Sequence, residues 1–69
     1  MKISARNVLK GKVTNVVHGP VSAEVTIEIA PGIQVVSVIS DTSAKNLALA
    51  KGTSVHAVIK ASSVMVATD

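Results

Sequence analysis

Val21, Ala23, Val25, Ile27 and Ile29 alternate with Ser22, Glu24, Thr26 and Glu28. This period of two, kept without an error, predicts a strand with one buried and one wet face. Upstream, Val8 to Val17 predicts another strand, with Gly11 as a bulge or bend and His18-Gly19-Pro20 as the turn that closes it. Pro31-Gly32 suits the centre of a type II turn, Pro setting φ and Gly accepting a positive one. Ile33 to Ile39 follows as the hairpin partner. Its alternation fails because both faces are apolar, which predicts burial on two sides, and the second face is a candidate subunit contact. Asp41-Thr42-Ser43 offers cap oxygens ahead of Ala44 to Ala50, where Ala44, Leu47 and Ala48 recur at helical spacing. Gly52 stands where a glycine would end that helix. Ser54 to Lys60 resumes β structure with Val55, Ala57 and Ile59 on one face. Val64-Met65-Val66 predicts a last short strand after the break at Ala61-Ser62-Ser63.

These elements predict an all-β fold with one short helix, a small Greek-key β-barrel of the OB type with four or five strands. No repeat or linker interrupts residues 1–69, which read as one domain. Composition adds a constraint. The chain has 13 Val and 6 Ile against 3 Leu, with no Phe, Tyr, Trp or Cys. β-branched residues favour strands, but the side chains that bury most area are absent, and so is any disulfide staple. A core this small seldom supplies more than about 3–5 kcal/mol. Association with further copies is therefore expected, and a charged fraction of only 16% leaves much surface to hide.

The net charge of +3 suits an anionic partner. It is not the basic stripe of a nucleic-acid binder, and no aromatic platform is present to stack bases, so nucleic acid is not expected as a partner. No apolar run reaches the roughly 18–20 residues of a membrane span. The opening residues lack the apolar stretch of a signal peptide, and a soluble, cytoplasmic protein is expected.

Catalysis is not expected either. Glu24 and Glu28 share one strand face, roughly 13 Å apart at about 3.3 Å per residue. That exceeds the roughly 5–9.5 Å of paired glycosidase carboxylates. Neither a P-loop nor a dinucleotide glycine pattern occurs. His18 and His56 have no carboxylate or cysteine at ligand spacing, so no metal-cation site is expected; His18, beside Gly19-Pro20, reads as a hydrogen-bond donor at a loop. Two segments are rich in oxyanion donors: Ser4-Ala5-Arg6-Asn7 before the first strand, and Lys60-Ala61-Ser62-Ser63 where a strand ends in small residues. Hydroxyls and successive backbone N–H groups make concave anion sites, and Arg or Lys supplies the opposite charge. On composition alone, solvated strand ends remain the simpler reading of both.

The stretch Ser4-Ala5-Arg6-Asn7-Val8-Leu9-Lys10-Gly11-Lys12-Val13, taken with the distant Lys60-Ala61-Ser62, resembles the molbindins (the Mop family), small cytoplasmic molybdate-binding proteins. The likeness continues through His18 to Val25 and Thr42 to Leu47, and so covers essentially the whole chain. It implies an OB-like barrel assembled as a homo-hexamer, a trimer of dimers, with molybdate or tungstate bound at subunit interfaces and no covalent cofactor. One class of site is implied to join Ser4, Ala5, Arg6 and Asn7 of one subunit to Lys60, Ala61 and Ser62 of a neighbour. A second class would draw on the turn His18, Gly19, Pro20 and Val21, with Thr42, Ser43 and Lys45 at the helix start as further donors. The implied role is intracellular oxyanion storage or homeostasis. The alternatives are an OB-like oligonucleotide-binding module, or a structural oligomerisation domain whose anion sites are incidental.

Overall fold

Four strands pair into one antiparallel sheet in the computed structural model, which describes residues 1–69. They are β1 (Asn7–His18), β2 (Ser22–Ala30), β3 (Ile33–Ser40) and β4 (Ser54–Ile59), with the helix α1 (Asp41–Asn46) between the last two. The spatial order β3-β2-β1-β4 is that of a Greek key: three hairpin-linked strands and a fourth that returns beside the first. The alternation predicted for residues 21–29 holds from Ala23 to Ile29, while Val21, ahead of β2, is exposed. Ala23, Val25 and Ile27 are buried, while Glu24 and Glu28 face water.

β1 is shared between two partners. Its first half pairs with β4, from Asn7↔Ile59 to Lys12↔Ser54, and its second half pairs with β2, from Lys12↔Glu28 to His18↔Ala23. The irregularity expected at Gly11 lies instead between Val13 and Asn15. There Val13 turns its N–H to the Thr53 carbonyl and its own carbonyl to the Gly52 N–H. Gly11 serves a different need, because a Cβ on it would stand 2.5 Å from the Glu28 carbonyl oxygen and 2.8 Å from Ile27 Cγ2.

The helix is shorter than its spacing predicts and starts and stops elsewhere. Ser40, not a residue of Asp41–Ser43, is the N-cap, its Oγ accepting from the Ser43 N–H. The end comes at Leu47, where Ala48 takes a left-handed φ of 52°. The Leu49 N–H then reaches the Ala44 carbonyl and the Ala48 N–H reaches the Lys45 carbonyl. That is a Schellman closure with alanine where glycine is usual. Gly52, at φ 94°, belongs to the turn into β4 rather than to the helix.

The core is thin. Val13, Val25, Ile27 and Ala57 form its buried cluster, with Val16, Ile29, Val35, Ile39, Leu49 and Val55 packed around them. β3 is not buried on two sides in one chain: Val35 and Ile39 face in, while Val36 and Val38 are 60% and 68% exposed. Nor does Val64-Met65-Val66 form a strand. The tail leaves a one-turn 3-10 helix (Ala61–Ser63) in extended form but finds no partner, and Met65 and Val66 are almost wholly exposed. The sheet therefore does not close. Between β3 and β4 lies an apolar groove of 360 Å³, lined by Val35, Ile39, Leu49, Val55 and Ile59 among others.

Two substitutions test this account by urea unfolding at fixed protein concentration. Gly11→Ala is expected to destabilise by about 2 kcal/mol through backbone overlap. Ala48→Gly is expected to stabilise by about 0.5–1 kcal/mol, since it removes left-handed strain at some cost in chain entropy.

Candidate anion-binding site

The register of β1 against β4 builds the first candidate site. Because Asn7 lies opposite Ile59, the residues just before β1 meet those just after β4. Ser4, Ala5, Arg6, Lys60, Ala61 and Ser62 line one open cleft of 460 Å³. One chain brings all six to this cleft, whereas the family resemblance implies that two subunits share them. Asn7 stands apart from them, half-buried in β1 itself.

The electrostatics of the cleft are one-sided. The chain contains two ion pairs, and neither involves Arg6 or Lys60. Two cations thus face one opening without a carboxylate to neutralise them. Lys60 leads into the 3-10 turn, whose Ser63 and Val64 N–H groups are taken by the Lys60 and Ala61 carbonyls. The N–H groups of Ala61 and Ser62 open that turn, where no acceptor exists within it. Hydroxyls of Ser4 and Ser62 complete a set made only of donors, hydroxyls and positive charge, the chemistry that suits an oxyanion.

A second cluster lies at the other end of β1. His18 Nδ1 stands 2.5 Å from Asp41 Oδ1, and Lys45 Nζ lies 3.0 Å from Asp41 Oδ2. The Asp41 N–H also donates to the Val21 carbonyl at 2.9 Å, while the Gly19 N–H closes the turn onto Ser22. Asp41 thereby ties the His18-Gly19-Pro20-Val21 turn to the start of α1. Pro20 and Val21 themselves are exposed. Hydrogen bonds from His18 first, and from Lys45 second, hold the Asp41 carboxyl below its ordinary value of 3.8. Of the helix-start residues, Thr42 is exposed. Ser43 is engaged by Ser40, through both its N–H and its hydroxyl.

The residue that sequence reading missed is Asp41, which was seen only as a cap. Its i,i+4 spacing to Lys45 was visible in the sequence, but nothing in the order of residues announces a partner 23 positions away.

The family model of the TOBE domain matches residues 3–66. The chain belongs to the TOBE-domain family. Among relatives of this TOBE chain, molybdenum-pterin-binding protein 3 of Clostridium pasteurianum is 53% identical over 66 residues, covering 96% of this chain and 97% of its own. The structure of a molybdate-binding protein from Sporomusa ovata superposes with a TM-score of 0.91 at 35% identity, covering 99% of this chain and all of that one. That of ModG, described as a cytoplasmic molybdate-binding protein and solved with molybdate bound, gives 0.83 at 49% identity, over 88% of this chain and 43% of its own. The TOBE chain thus shares the OB-like fold of these structures, four antiparallel strands and one short helix. No helix in it is long and apolar enough to cross a membrane.

The Asp41 clamp has a pH signature. The folded carboxyl holds its proton less tightly than the unfolded one, so the clamp stabilises above pH 3.8 and fades as pH falls through the lower folded value. Thermal melts across an acid series should show this loss in the parent chain. Asp41→Ala should melt lower at neutral pH and show a flatter acid limb.

Proposed function

We propose that this chain is a non-catalytic binder of molybdate and tungstate, serving intracellular, cytoplasmic storage and homeostasis of the oxyanion. The observation that carries the reading is the cleft in which Arg6 and Lys60 converge, unpaired, with serine hydroxyls and strand-end N–H groups. The names of the relatives, two of them molybdate-binding, support the choice of ion. A tetrahedral dianion needs several convergent donors and a cation, and a preorganised site keeps the ordering cost low. Molybdate and tungstate share charge and nearly share size, so little discrimination between them is expected. Sulfate is smaller, and a rigid cleft leaves some donors out of its reach.

The second group of site residues, His18, Gly19, Pro20 and Val21 with Thr42, Ser43 and Lys45, is assigned to a further oxyanion position at the turn held by Asp41. Ser43 is the weakest member, since Ser40 already engages it. Asn7 supports the first site from the strand beside it.

Self-association is part of the same proposal, as a homo-hexamer built as a trimer of dimers. Only 7 of 69 residues are buried in one chain, and the β3–β4 groove, the outer face of β3 and the Val64–Val66 tail leave apolar surface for other copies to cover. Large exposed apolar patches of this kind mark interaction surfaces.

Isothermal titration with molybdate is expected to give saturable heat that survives excess sulfate. Bound oxyanion should also raise the thermal midpoint by mass action. Lys60→Ala should weaken binding by about 2 kcal/mol, on the order of 30-fold, and lose most of the thermal rise with little change in the ligand-free melt. An equal rise in the variant would remove Lys60 from the site.

A further inference from the structure

We propose that Asp41 is a positioning residue for His18: by accepting a hydrogen bond from Nδ1–H, it makes the opposite ring nitrogen, Nε2, a donor to anions only while the imidazole is charged. The inference rests on the oxyanion reading of the His18-Gly19-Pro20-Val21 turn and adds a residue and a pH dependence to it.

The geometry begins at Asp41, whose side chain is 12% exposed and has both oxygens engaged, Oδ1 by His18 and Oδ2 by Lys45. An ionised carboxylate can only accept hydrogen bonds, so the proton shared with His18 sits on Nδ1. A neutral imidazole carries one proton. With that proton committed to Asp41, neutral His18 turns a bare Nε2 lone pair outward, which repels an oxyanion. Protonation places a hydrogen on Nε2 and changes the charge of the His18–Asp41–Lys45 cluster from zero to +1. The ring is positioned for this, because the side chain is 46% exposed and Nε2 has no partner within the chain.

Without Asp41, a neutral histidine is free to carry its proton on Nε2 and still donate to the anion. Asp41 thus converts a graded donor into one that is present or absent.

The charged groups facing Asp41 are His18 from the end of β1 and Lys45 from the next turn of α1. Of the strands packed against α1, β3 has no titratable side chain, and β2 has Glu24 and Glu28, which are exposed and make no ion pair with the cluster. Imidazole is the side chain that changes charge between about pH 5 and 8. The Arg6–Lys60 cleft contains none, so its affinity should stay level over that range. One chain would then carry an oxyanion site without an imidazole and a second whose affinity depends on the charge of one.

The test uses the intact chain and needs no variant to begin. Imidazole ¹⁵N spectra at about pH 8 should show His18 protonated on Nδ1 and bare at Nε2. Sodium molybdate is then titrated at about pH 6 and about pH 8, followed on the His18 ring signals so that the other cleft does not contribute. Affinity at the turn should fall about tenfold or more at the higher pH. In Asp41→Ala that fall should shrink to about fivefold or less, because neutral His18 regains a donating Nε2–H. An Nε2–H tautomer in the parent chain, or equal falls in both proteins, would overturn the role given to Asp41. If molybdate leaves the His18 signals unmoved at both values while calorimetry still records binding, this inference and the second oxyanion position fail, and the reading of the Arg6–Lys60 cleft stands. Absence of heat as well would bring down both.

Discussion

One strand carries the molecule. β1 pairs with β4 along its first half and with β2 along its second, and Lys12 is the residue that has partners on both sides. The handover is marked by the register shift between Val13 and Asn15, where Val13 lends its backbone groups to the Gly52–Thr53 turn. Gly11 lets β1 approach β2 where any side chain would strike the Glu28 carbonyl. Both candidate sites hang on this strand. The cleft of Arg6 and Lys60 sits at its start, and the His18–Asp41 clamp sits at its end.

The second constraint is what the core lacks. Without aromatic residues, burial rests on Val, Ile and Ala, and each contributes modest area. The sheet remains open along β3 and β4, with an apolar groove between the free edges. Cross-links are few as well, since the two ion pairs of the chain both end on Asp41. Of the seven cations set against four acids, only Lys45 forms an ion pair, and Arg6 and Lys60 face their cleft unpaired.

Much of this was legible in the order of residues. The alternation of residues 21–29 predicted β2 and its buried face, Pro31-Gly32 predicted the hairpin turn, and the cationic strand ends of the candidate cleft stood out by composition. The errors have physical causes. Helical spacing extended α1 to Ala50, but the chain stops it early with a left-handed Ala48, a conformation that alanine does not advertise. Val64-Met65-Val66 has the composition of a strand. A strand also needs an edge to pair with, and the tail meets none within its own chain.

What the sequence determined by itself is therefore local: which residues alternate, where turns fall, which side chains can donate to an anion. These depend on spacing and on the conformational limits of single residues. Only the tertiary structure decided which distant residues meet. It placed Arg6 beside Lys60 through the Asn7↔Ile59 register, and His18 against Asp41 across 23 positions. Such meetings depend on strand register and on the sum of many weak packing terms, none of which is written at either residue.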